Sequence, residues 1–278
     1  MYPSVALTSQ LAGPPFAVPL VKLLTLARDL QRRKGRERQQ CFVAEGVRSV
    51  EALLGSPLPI VGVLVSDELG QHLRASALQD AAAARGVPIK TVSKSEFESA
   101  ATTESPQGVL AVAEIPSRTL GTPATGASRY LLLDAIQDPG NVGTMIRTAA
   151  ALGVTATVAL PGTVDLWNAK VVRSTMGALF VHTALAATWE DCASFLDAHA
   201  IACWAADTDG LLIDSSALVR REALPPCLAL VVSNEGAGLS PQVAARASQR
   251  VAIGMAPDVE SLNVAVATGI LLHALRPT

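Results

Sequence analysis

Aromatic residues are scarce in this chain, at 4% of 278 residues, although half of the sequence is apolar. Its core must therefore be built mostly from Ala, Val and Leu. Small aliphatic cores of this kind suit helices layered on a sheet. Histidine and cysteine are also few. Cys41, Cys192, Cys203 and Cys227 are scattered, with no CxxC pair, and His72, His182, His199 and His273 are equally dispersed. That pattern argues against a metal site and against a disulfide framework, and it suits a reducing, cytoplasmic setting. No run approaches about 18 uncharged apolar residues, so no membrane-spanning helix is expected. Residues 1–19 are apolar but have no basic leader, and Pro14, Pro15 and Pro19 interrupt them. They are expected to form a loose leader rather than a signal peptide.

Charge is present but unevenly spread. Residues 1–128 carry 13 Lys and Arg against 11 Asp and Glu, and residues 129–278 carry 9 against 13. The basic excess gathers at Arg28, Arg32, Arg33, Lys34, Arg36 and Arg38, diluted by Asp29 and Glu37. Such a cluster can neutralise phosphates along a nucleic acid. A solvated helix end, with cations offsetting the macrodipole, would give the same pattern.

A Pro-, Gly-, Ser- and Thr-rich stretch at residues 116–128 reads as a linker between two α/β units. In the first, spanning residues 20–115, the pattern predicts helices over 21–31, 47–55, 73–86 and 94–101. Strands are predicted over 60–66, 89–93 and 108–114. The second unit, residues 129–278, alternates more regularly. Strands are expected at 130–135, 155–161, 181–186, 201–207, 227–233 and 250–255. Helices are expected at 142–153, 166–180, 189–200, 241–248 and 261–276. Continuous apolar strands alternating with helices imply a parallel sheet buried on both faces. Ligands of such sheets bind in loops at the carboxyl ends of strands.

Three post-strand loops carry polar groups suited to chemistry. The first, DAIQDPGNVGTMIR, has a turn at Asp138–Gly140, with Asn141 placed to cap the next helix. On that helix Val142, Met145, Ile146 and Ala149 form the apolar stripe and Arg147 lies off it. Arg147 can grip a phosphate or stand as an ordinary surface arginine. The second loop, SNEGAGLS, places Glu235 between Asn234 and Gly236. Its GxG lacks the final glycine of a dinucleotide fingerprint, because Pro241 stands there. The third, GMAPDVESLN, brings Ser261 and Asn263 to the start of an apolar helix, where Ser261 alone would serve as an N-cap. Arg173 is a further phosphate-contact candidate, or a solvated helix residue.

The ordered set DPGNVGTMIRTAAALG, SNEGAGLS and ESLNVAVATG closely resembles the three signature motifs of the SpoU (TrmH) family of RNA 2′-O-ribose methyltransferases. The resemblance covers residues 129–278. It extends more weakly to RRKGRERQQCFVAEGVRSVEALL and SPQGVLAV, which resemble the substrate-binding domain preceding the catalytic domain in many members. It implies an α/β fold with a C-terminal trefoil-knotted, parallel-sheet SPOUT methyltransferase domain behind a smaller N-terminal α/β substrate-binding domain. It implies S-adenosylmethionine as cofactor and S-adenosylhomocysteine as product. Ala206, Ser233, Asn234, Gly236, Ile253 and Leu262 then fall at cofactor positions. Asn141, Arg147, Glu235, Ser261 and Asn263 fall around the reacting ribose. Arg32, Arg33, Lys34, Arg36, Arg38 and Arg173 become candidate RNA contacts. The resemblance further implies a homodimer acting on RNA, ribosomal RNA before transfer RNA.

Departures from the family pattern are local. Ser233 replaces a usual glycine, Ala237 stands where a longer residue is common, and Gly254 replaces a usual proline. Two other readings stay open on sequence grounds. One is a dinucleotide-dependent or classical Rossmann enzyme using the Gly236–Gly238 turn. The other is a non-catalytic RNA-binding protein with the same fold.

Overall fold

The computed structural model describes residues 20–69, 75–121, 123, 126–213, 224–234 and 238–277. The expected leader, residues 1–19, lies outside them. The chain divides into two compact units after Pro116.

The first unit runs α1 (Leu20–Asp29), α2 (Arg33–Gln39), β1 (Cys41–Glu45), α3 (Val47–Leu54), β2 (Ile60–Ser66), α4 (Ala75–Ala84), β3 (Ile89–Val92), α5 (Lys94–Glu98) and β4 (Val109–Glu114). Its four-stranded sheet has the order β1-β4-β2-β3. Only the β2–β3 pair is parallel. Sequence patterning missed β1, because CFVAE is a short run buried at every position and gives no alternation. It also missed α2, whose polar RKGRERQ has no apolar stripe. Buried Glu45, at the end of β1, accepts hydrogen bonds from the Thr102 amide at 2.7 Å, the Thr102 hydroxyl at 2.6 Å and the Thr103 hydroxyl. This one carboxylate holds the loop that leads into β4.

The second unit runs β5 (Ser128–Asp134), α6 (Pro139–Ala151), β6 (Ala156–Ala159), α7 (Ala169–Ser174), α8 (Ala178–Val181), β7 (Ala184–Ala186), α9 (Trp189–Ala198), β8 (Ala202–Leu212), β9 (Cys227–Ser233), α10 (Pro241–Arg246), β10 (Gln249–Ala252) and α11 (Val264–Leu275). Its six-stranded sheet has the order β10-β8-β9-β5-β6-β7. Every pairing in it is parallel. β5 and β6 are buried throughout, as an apolar run covered on both faces requires. The single helix expected over 166–180 is broken in two. Met176 (φ 51°) and Gly177 (φ 92°) both adopt left-handed backbone and end α7 before α8 begins.

The start of the expected linker packs onto this unit. Arg118 is partly buried and donates to the carbonyls of Leu179 and His182, and Leu120 packs against the core beneath the sheet. Burial, together with Arg118, pushes the His182 imidazole down to about 4, so it stays neutral against the Thr157 hydroxyl at 2.9 Å. Burial pushes the Cys192 thiol up to about 12, and those of Cys41 and Cys203 to about 11. These thiols are packing groups, not nucleophiles.

α6 and α7 approach closely because Gly143 has no side chain. A Cβ there would meet Ser174 Cβ at 2.3 Å and the Val171 carbonyl oxygen at 2.9 Å. Gly269 in α11 is different, with Thr148 Cγ2 at 3.6 Å from a built Cβ. Gly143→Ala is therefore expected to cost about 1–3 kcal/mol through overpacking. Gly269→Ala should be neutral or add about 0.5–1 kcal/mol from helix propensity. Denaturant unfolding of both variants checks this, and equal effects would contradict the packing account.

Candidate active site

The carboxyl ends of all the parallel strands leave the sheet at one edge. A cleft of about 290 Å³ opens there, lined by the middle of β8 (Ala206–Thr208), by the ends of β9 (Val232–Asn234) and β10 (Val251–Ile253), and by Ser261 and Leu262 before α11. That volume sits at the small end of the roughly 300–1,000 Å³ typical of small-molecule sites. Its walls are mainly aliphatic, with Ser233, Asn234 and Ser261 adding hydrogen-bonding groups. A compact ligand with an apolar body and polar edges fits this lining. Among the described residues no cluster of His, Cys, Asp or Glu is arranged to hold a metal ion.

Local backbone geometry makes the cleft. β8 pairs with β10 at Trp204 and Ala205, then resumes at Leu211 and Leu212 against the next residues of β10, Val251 and Ala252. The segment from Ala206 to Gly210 is thus squeezed out of the ladder and forms a wall. Gly210 allows the return, since a Cβ there would lie 2.6 Å from the Val251 backbone. The loop after β9 is pinned by buried Asp134 at the end of β5. Its carbonyl accepts from the Asn234 amide at 3.2 Å, and its carboxylate accepts from the Ser240 amide at 2.9 Å. Sequence reading gave Asp134 no role. The available signal was a lone carboxylate ending an otherwise apolar strand.

Two caps differ from expectation. Asp138, not Asn141, caps α6, accepting from the Asn141 amide at 2.7 Å. This frees the Asn141 side chain. Asn263, not Ser261, caps α11. Its Oδ1 accepts from the amides of Ala265 at 2.9 Å and Val266 at 3.4 Å. Ser261 is exposed and faces the cleft instead.

The Asn263 cap fixes the polarity of a second amide. Because Oδ1 is committed to backbone donors, Nδ2 of Asn263 must be the atom that donates to Asn141 Oδ1, at 3.0 Å. Asn141 therefore offers its own Nδ2 hydrogens outward, as donors. The same two helices also meet deeper down, where the buried Thr268 hydroxyl, donating to the Val264 carbonyl at 2.7 Å, lies 3.2 Å from Met145 Sδ.

The structure thus gathers Ala206, Ser233, Asn234, Ile253, Leu262 and Ser261 in one cleft, with Asn263 next in chain and Asn141 bonded to it. Arg147 does not line the cleft. It is exposed on α6 and, among the described residues, has no hydrogen-bonding or ionic partner. Val142, Met145, Ile146 and Ala149 form the buried stripe, as the periodicity predicts. Glu235 and Gly236 lie outside the described residues. Arg173 is exposed on α7. Asp207, which sequence reading passed over, lines the cleft and is paired with Arg250 at 3.0 Å.

The basic cluster of the first unit is less uniform than its sequence. Arg36 is corrected from surface contact to structural clamp. It is buried and donates to the carbonyls of Leu30 at 2.8 Å and Gln31 at 3.1 Å, just beyond α1. Arg33 pairs with Glu37 at 2.8 Å and Arg38 with Asp29 at 2.7 Å, both arginines remaining largely exposed. Arg32 and Lys34 are exposed.

Comparison with known proteins places this geometry. The SpoU rRNA Methylase family model matches residues 128–273, and the MRM3-like substrate binding domain matches residues 21–111. The chain is 34% identical over 247 residues to the 23S rRNA (guanosine(2553)-2′-O)-methyltransferase RlmP of Bacillus subtilis (strain 168), covering 89% of this chain and 93% of that protein. It is similar to the AdoMet-bound rRNA methyltransferase structure from Sinorhizobium meliloti, with 26% identity, a TM-score of 0.77 and coverage of 93% and 95%. It is also similar to the SpoU methyltransferase AviRb from Streptomyces viridochromogenes in complex with AdoMet, with 25% identity, a TM-score of 0.77 and coverage of 91% and 96%.

The two roles of Asn263 are separable by mutation. Asn263→Ala should lose the α11 cap and about 1 kcal/mol of stability. Asn263→Asp should keep the cap and the stability while losing the donor to Asn141. Thermal denaturation of the two variants distinguishes them, and equal losses would contradict the assignment.

Proposed function

The chain belongs to the SpoU rRNA methylase family, whose members are S-adenosylmethionine-dependent methyltransferases, and we propose that it methylates a ribose 2′-hydroxyl of RNA, ribosomal RNA in preference to transfer RNA. One observation carries the reading most directly. A small-molecule cleft and an oriented Asn141–Asn263 pair meet at the carboxyl edge of one parallel sheet.

When bound, S-adenosylmethionine supplies an electrophilic methyl group on a sulfonium. Ala206, Ser233, Asn234, Ile253 and Leu262, with Gly236, would hold it. The remaining work falls to side chains that place the 2′-oxygen in line, shed its proton and keep water out. Asn141 presents N–H donors, so it orients an oxygen and is not the proton acceptor. A guanidinium carries only donors, so Arg147 is not the proton acceptor either. Its exposed guanidinium is instead suited to clamp an RNA phosphate beside the ribose. Ser261 at the cleft adds a hydroxyl, and Glu235 would be the carboxylate of the set.

The first unit serves as the RNA-binding domain in this reading. Arg32 and Lys34 offer exposed positive charge, with Arg33 and Arg38 beside them and Arg173 on the second unit. Phosphate contacts of this kind position RNA without reading its sequence. The loops after β9 and β10 and the helix α11 would form the trefoil knot of the family. The enzyme would act as a homodimer in the cytoplasm. Exposed Val266 and Ile270, one turn apart on α11, support an apolar contact with a second copy.

The test is methyl transfer from labelled S-adenosylmethionine to unmodified ribosomal RNA and, separately, to transfer RNA, with nucleoside analysis of the product. The expected product is a 2′-O-methylated nucleotide in ribosomal RNA. Arg147→Ala should lower transfer by about 100-fold, with cofactor binding changed by less than about threefold. Transfer to neither RNA by a protein that binds the cofactor would contradict the proposal.

A further inference from the structure

One charged residue lining the cleft has no part in the reading above. Among the described residues that line the cleft, Asp207 alone carries a charge. It sits in the stretch of β8 that the register break pushes out of the ladder. Two contacts fix its carboxylate. Oδ1 accepts from the Asp209 amide at 3.3 Å, and Oδ2 accepts from Arg250 Nη1 at 3.0 Å. The side chain is 22% exposed, whereas that of Arg250 is 48% exposed and does not line the cleft. A carboxylate has about four acceptor positions. Acceptor capacity thus remains beyond these two bonds.

Position and charge narrow what that capacity serves. In the sheet β8 lies beyond β9 from β5, the strand that leads to α6 and Asn141. Asp207 thus lies on the far side of β9 from the strand end that leads to Asn141. It therefore addresses the part of the ligand remote from the reacting methyl. Arg250 already balances the carboxylate, so a second cation gains little from the pair. Neutral hydroxyl donors need only the acceptor positions. We infer that Asp207 accepts hydrogen bonds from the vicinal ribose hydroxyls of the cofactor's adenosyl group, with Arg250 as the positioning residue that holds its carboxylate. Ala206, Val251 and Ile253 beside it form an apolar wall suited to the rest of the nucleoside. The inference rests on the proposed cofactor cleft and gives a charged end to a site whose other described lining residues are apolar or neutral.

The experiment is calorimetric titration of the full chain with S-adenosylhomocysteine and with its 2′,3′-dideoxyribose analogue, without RNA. The unsubstituted protein should bind the parent compound about tenfold tighter than the analogue. Asp207→Ala should bind the parent about tenfold more weakly and lose that discrimination. Asp207→Asn keeps the shape and one acceptor and should fall between, so loss of folding in the alanine variant leaves a reading. Undiminished discrimination in either variant overturns the inference while leaving the cleft assignment intact. Failure of the unsubstituted protein to bind S-adenosylhomocysteine overturns the cleft assignment as well.

Discussion

All strands of the six-stranded sheet run the same way, and that one constraint shapes the rest of the catalytic unit. Parallel strands need crossovers, so helices cover both faces and the central strands β9, β5 and β6 are buried along nearly all their length. Every loop that leaves a carboxyl end leaves at the same edge. Groups far apart in sequence then meet there without any long-range design beyond strand order. Asn141 follows β5 and Asn263 precedes α11, separated by 122 residues, yet their amides are in contact.

Close backbone approach turns that edge into a cleft. Gly210 lets β8 rejoin β10 after its excursion, and Asp134 stitches the loop after β9 to the end of β5. Gly143 lets α7 lie against α6. These are tertiary requirements written in single residues. A side chain at either glycine, or an uncharged side chain at Asp134, would disturb the cleft without touching a ligand.

Elements with a strong period were legible in the sequence. The runs YLLLDA and CLALVVS read as buried strands, and the stripe Val142, Met145, Ile146 and Ala149 marked α6 and left Arg147 outside it. What the sequence hid was decided by contacts across long separations. The excursion of β8 depends on a register shift against β10 that no local pattern shows. Asp138 and Asn263 outcompete Asn141 and Ser261 as caps, because several good capping residues stand together and only geometry selects among them. Arg36 looked like its basic neighbours but folds inward to satisfy the carbonyls beyond α1. Charge in a sequence reports composition, whereas burial decides whether that charge reaches a partner.

The central claim is that Asn141 and Asn263 act as one oriented pair beside the cofactor cleft. A double-mutant cycle in single-turnover methyl transfer, using Asn141→Ala, Asn263→Asp and the double variant, tests it most directly. The account predicts that either single change removes nearly all the effect and the second adds little. Losses that simply multiply would mean the two side chains act independently and would contradict it.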